Sequence, residues 1–84
     1  MWRHYMDHSI LRLPQVRDAT GLGRSTIYAL VADRRLTSPV KLSERAVGWP
    51  QCEISAINAA RIAGRTDEEI RQLVAKLEAA RKAA

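Results

Sequence analysis

The tripeptide Gly21-Leu22-Gly23 constrains this chain more than any other feature. It joins two short stretches of helical character, and three residues leave two helices no room to run apart. On its N-terminal side, Pro14 suits the first turn of a helix, where a missing N–H costs nothing. Gly21 suits the position just past a helix end, where positive φ is needed. Together they predict a helix over about 14–20, with Val16 and Ala19 turned to a core. Two turns cannot hold a helix in isolation. On the C-terminal side, Ile27, Leu30 and Val31 recur at i, i+3 and i+4, predicting a second helix from Arg24 or Ser25 to about Asp33. Val16, Gly21, Leu22, Ile27 and Leu30 fall where a helix-turn-helix requires core residues and a turn glycine. Arg17 departs, standing where a small residue often permits close helix approach. An ordinary helical hairpin satisfies the same local pattern, so the remaining chain must decide.

Ile10-Leu11-Arg12-Leu13 reads as a short strand or an extended lead-in. Beyond the second helix, Pro39 interrupts the helical period. Val40-Lys41-Leu42 and Val47-Gly48-Trp49 then alternate with period two around Ser43-Glu44-Arg45-Ala46. This predicts a β-hairpin with Val40, Leu42, Val47 and Trp49 as packing residues. Pro50 opens a third helix over about 50–63, with Ile54, Ile57 and Ala60 inward and Gly64 at its end. Thr66 and Glu69 form a capping box before a last helix over about 67–82. Its stripe of Ile70, Leu73, Val74 and Leu77 must find a surface, either the chain's own core or another chain, and the second case makes a protein-interaction module using this helix the alternative function. The expected architecture is mainly α with a small β-hairpin: a winged helix-turn-helix plus a C-terminal helix. Residues 1–9 would form a flexible arm, 10–64 the winged helix-turn-helix domain, and 65–84 the amphipathic helix.

Charge supports a nucleic-acid partner. The 84 residues carry a net charge of +5, and eleven of the 14 basic residues are Arg. Residues 10–50 hold seven basic groups against three acidic ones, whereas residues 1–9 and 66–84 are each neutral. Such a block points to an anionic partner. A hydrophobic content of 46% excludes an acidic disordered chain. No apolar run approaches the roughly 18 residues of a membrane span, so no membrane partner is expected. The single Cys52 excludes an internal disulfide and fits a reducing cytoplasm. The start MWRHYMDHS has no apolar stretch of signal-peptide type. No Ser/His/Asp or Cys/His grouping and no phosphate loop is evident, so no catalytic residue and no cofactor are expected. His4 and His8 are spaced to share a helix face but have no further ligand, so no metal is expected either.

The second helix carries the candidate DNA contacts. Arg24 suits a guanine edge or a phosphate, and Ser25 and Thr26 suit phosphate oxygens. Ser25 equally suits a helix cap. Tyr28 either directs its hydroxyl to a phosphate or covers the edge of the core. On the hairpin, Lys41, Ser43 and Arg45 form a wing that would touch backbone or minor groove. Arg17, Arg34 and Arg35 are further candidates for the DNA backbone.

These pieces occur in order within ILRLPQVRDATGLGRSTIYALVADRRLTSPVKLSERAVGWPQCEISAINAARIA, about residues 10–63. The segment resembles the AlpA family of small phage and mobile-element regulators. That family is similar to the excisionase group, with a MerR-type winged helix-turn-helix. LPQV, TGLGRSTIY, PVKLSERAVGW and the later EI…A…RIA carry the likeness. Two positions depart from it: Ile57 stands where the family often has Trp, and Asn58 where an apolar residue is common. The resemblance implies double-stranded DNA binding without catalysis, by a transcriptional regulator or by a recombination directionality factor that bends attachment-site DNA for an integrase. It implies recognition contacts at Arg24, Ser25, Thr26 and Tyr28, and wing contacts at Lys41, Ser43 and Arg45. It also implies copies bound side by side along DNA, for which Ile70, Leu73, Val74 and Leu77 are the self-association candidates. The expected location is the bacterial cytoplasm, on the nucleoid.

Overall fold

The computed structural model of the chain describes residues 8–83. Most of the expected N-terminal arm, with His4, therefore lies outside the described residues. In chain order the elements are β1 (Ile10–Leu11), α1 (Leu13–Thr20), α2 (Arg24–Ala32), β2 (Val40–Ser43), β3 (Ala46–Pro50), α3 (Gln51–Ile62) and α4 (Asp67–Ala80). A short 3-10 turn follows at Arg81–Ala83.

The Gly-Leu-Gly turn is built as its residues require. Gly21 ends α1 in the left-handed region at φ 73°, with its N–H donating to the Arg17 carbonyl at 2.8 Å. Gly23 is the extended residue that starts α2. At the other end of α1, Gln15 Oε1 accepts from the Arg12 N–H at 2.8 Å, one half of a capping box. Ala19, expected inward, is exposed. Its carbonyl instead accepts from Asn58 Nδ2 of α3 at 2.9 Å. The amide at the position where the family favours an apolar residue thus satisfies one of the last carbonyls of α1.

The sheet has three antiparallel strands in the order β1-β3-β2, one more than the expected hairpin. Ile10 pairs with Pro50 and Leu11 with Trp49. Val40 pairs with Gly48, and the register shifts between Lys41 and Ser43. This bulge turns Leu42 outward, 42% exposed, correcting its expected place in the packing. Gly48 has a steric reason. A Cβ there would lie 2.5 Å from Ile10 Cγ2 and 2.9 Å from the Leu11 carbonyl oxygen.

The core gathers Val16, Ile27, Leu30, Leu36, Trp49, Ile54, Ile57, Ile70 and Val74. Ile57 is 1% exposed, so the smaller residue at the family's Trp position is fully packed. Ile70 and Val74 come from α4, and Leu73 and Leu77 pack against the same cluster. The helix therefore covers its stripe on its own chain, and the core crosses the boundary expected near residue 64. The capping box at its start forms as read: Glu69 N–H donates to Thr66 Oγ1 at 3.2 Å, and Thr66 N–H to Glu69 Oε1 at 2.9 Å.

Candidate nucleic-acid interface

The first turn of α2 begins without a side-chain cap, because Gly23 occupies the capping position. Ser25 lies inside the helix, which removes its alternative role as the cap. Arg24, Ser25 and Thr26 are all exposed there. The first closing bond runs from the Ile27 N–H to the Gly23 carbonyl at 3.0 Å. Three backbone N–H groups ahead of it have no intrahelical partner and add positive potential to this end.

Tyr28 connects this face to the hairpin. Its ring lies 6.1 Å from Trp49 of β3, tilted by 60°, and the Arg24 guanidinium stands 5.8 Å from its centroid. The ring therefore covers the core edge, as one of the two readings has it. The residue is still 37% exposed. At 5.8 Å the Arg24 guanidinium is placed for a cation–π attraction to the Tyr28 ring. Trp49 is fully buried and donates from Nε1 to the Thr37 carbonyl at 2.9 Å.

Lys41, Ser43 and Arg45 are exposed on the hairpin, with Arg45 in the turn between the strands. Arg17 is exposed and borders a shallow depression shared with Pro14, Asp18, Gly21, Leu22 and Gly23, beside the inter-helix turn. Arg34 follows α2, exposed, at φ 64°.

The ion pairs divide the cations into two groups. Arg35 contacts Asp33 at 2.6 Å and Asp67 at 3.3 Å. Arg71 contacts Asp33 at 3.1 Å and Glu68 at 3.6 Å. Hydrogen bonds from Arg71 and then Arg35 hold the Asp33 carboxyl below its ordinary range. Arg35 is accordingly committed within the chain, unlike the other backbone candidates. Arg81 grips Glu53 with two bonds of 2.8 and 2.7 Å. These bonds hold its guanidinium above its ordinary value. Among the described residues, Arg17, Arg24, Arg34, Lys41 and Arg45 take part in none of these ion pairs.

Sequence reasoning did not single out Leu36, Thr37 or the Glu53–Arg81 pair. Leu36 and Thr37 are buried in a segment without periodicity. Glu53 is 3% exposed although its neighbours Gln51 and Cys52 are exposed. A faint signal existed: Glu53 lies one residue before Ile54 and four before Ile57, on the edge of the inner stripe.

Two short helices on a glycine turn and a three-stranded sheet whose β2–β3 hairpin forms the wing define a winged helix-turn-helix protein. Residues 9–62 match the family described as Prophage CP4-57 regulatory protein (AlpA). The chain belongs to this AlpA family of phage regulatory proteins, whose regulators bind DNA. It is also 44% identical over 55 residues to "Uncharacterized protein ORF88" of Enterobacteria phage P4, across 66% of this chain and 62% of that protein. The chain thus spans less than two thirds of that relative's length. No solved structure matches it significantly. No helix among the described residues is long and apolar enough to cross a membrane.

Proposed function

We propose that this chain is a sequence-specific double-stranded DNA-binding protein of a prophage or mobile element, acting as a recombination directionality factor. In this reading α2 enters the major groove, and the wing rests on the adjoining backbone or minor groove. The bound protein bends attachment-site DNA for an integrase. Copies load side by side along the duplex, in the cytoplasm of the bacterial host and on its nucleoid.

The observation that carries DNA recognition is the partition of charge. Among the described residues, Arg24, Lys41 and Arg45 on the helix-turn-helix and its wing take part in no ion pair, while Arg35, Arg71 and Arg81 are paired elsewhere. Ser25 and Thr26 supply short hydroxyl donors beside Arg24, suited to phosphate oxygens. Arg24→Ala should weaken specific binding by about 1–3 kcal/mol relative to a random duplex. An equal loss on both duplexes would reassign Arg24 to phosphate.

A second reading, transcriptional control of an integrase or excision gene, is favoured by the family's description as regulatory. Footprinting across the element's attachment site and its integrase promoter separates the two. Protection at direct repeats beside the attachment site, with bending, is the expected result. Protection confined to the promoter would replace the excision role with the regulatory one.

A further inference from the structure

The segment between α2 and β2, residues 33–39, has no regular structure, yet α3, α4, β3 and the turn after α4 hold it. From α4, Arg71 Nε donates to the Asp33 carbonyl at 3.1 Å, and Glu78 Oε2 accepts from the Ser38 N–H at 2.8 Å. Arg81 Nη2 donates to the Ser38 carbonyl at 2.6 Å while the same guanidinium grips Glu53. From α3, Arg61 Nη2 reaches the Arg35 carbonyl at 3.5 Å. From β3, Trp49 bonds the Thr37 carbonyl. Both backbone groups of Ser38, two residues before the wing strand, are thus held from the C-terminal end of α4 and the turn after it. All of α4 lies beyond the residues that match the family.

We propose that the C-terminal helix and its terminal turn position the wing for DNA, with Arg81 as the positioning residue acting through Ser38. The inference rests on the reading of Lys41 and Arg45 as wing contacts. Arg81 is fixed because Glu53 is buried: a carboxylate out of water demands its partner. The guanidinium fork has a donor left for Ser38 once Glu53 is satisfied. A wing whose connection is fastened beforehand loses less conformational freedom on meeting the duplex. Released, the hairpin would keep its charges and deliver them less often.

The test is the salt dependence of binding to a random-sequence duplex, whose logarithmic slope changes by about 0.9 for each phosphate neutralised. Wild type is compared with Lys41→Ala/Arg45→Ala and with Glu53→Gln/Arg81→Met. The second pair conserves net charge and leaves no lone buried carboxylate. It should flatten the slope toward that of the wing variant, although every basic residue of the helix-turn-helix and wing is retained. A folded Glu53→Gln/Arg81→Met protein with the wild-type slope would overturn the proposal, because a purely structural pair would change only the melting temperature. If that variant does not fold, Arg81→Lys serves, since it keeps the charge opposite Glu53 and removes the fork. There too a flattened slope supports the proposal and a wild-type slope rejects it. If Lys41→Ala/Arg45→Ala itself leaves the slope unchanged, the wing reading fails and the positioning role falls with it.

Discussion

Arg34 occupies a backbone conformation that glycine would adopt more easily. Its N–H donates to the Val31 carbonyl at 3.1 Å, and that of Arg35 to the Leu30 carbonyl at 2.9 Å, closing α2 through a left-handed residue. A side chain at positive φ costs about 1–2 kcal/mol, and glycine's greater freedom when unfolded offsets about 0.4–1 kcal/mol of that. Arg34→Gly should therefore raise the melting temperature slightly. If Arg34 touches a phosphate, the same variant should bind DNA more weakly, with a salt slope smaller by about one contact. A variant that is more stable and binds unchanged would remove Arg34 from the interface. The glycine at the equivalent end of α1 was legible as a stop because its residue type announces the conformation. Arg34 was legible only as a charge, because arginine does not announce a left-handed terminus.

At the level of elements, the Asp33 cluster ties the end of α2 to the start and middle of α4. Its folded pKa is depressed, chiefly by Arg71 and then by Arg35. Its contribution is therefore complete above the ordinary value of 3.8 and is lost as pH falls through the lower folded value. Exposure to solvent keeps the effect small. Melting temperatures should fall more gently with acid for Asp33→Asn than for wild type. Parallel curves would show that the cluster adds nothing to stability. The helices and hairpin were readable because their signals are local: apolar spacing, proline at starts, glycine at stops, and the Thr66–Glu69 box. β1 was readable only as an option, since two residues become a strand through pairing with Trp49 and Pro50. The bulge that exposes Leu42 and the bonds that hold residues 33–39 come from partners distant in sequence, which no local pattern encodes. Of the candidate contacts, Ser25 and Arg35 changed most. The position of Gly23 excludes Ser25 from capping, and the carboxylates of Asp33 and Asp67 occupy Arg35.

For the whole molecule, α4 is part of the core rather than an appendage. Fully burying an Ile or Val side chain stabilises by about 1.5–3 kcal/mol, and α4 supplies Ile70 and Val74 at 2% and 3% exposure. It also leads to Arg81, whose loss would leave Glu53 buried and unpaired, at about 3–5 kcal/mol. These losses are comparable to the roughly 5–15 kcal/mol that hold a small protein folded. Truncation after Arg65 should abolish the cooperative thermal transition seen by circular dichroism. A shortened chain that still melts sharply near the wild-type temperature would show residues 1–65 to be self-sufficient. Copies assembled on DNA cannot use Ile70 or Val74 as their contact while this packing stands.

The Glu53–Arg81 pair also sets an order in time. A ribosome makes Glu53 28 residues before the guanidinium that neutralises it. The glycine turn, α2 and the β2–β3 hairpin all precede α4 in synthesis. The nascent chain therefore completes the segments proposed to contact DNA before α4 can close the core that supports them.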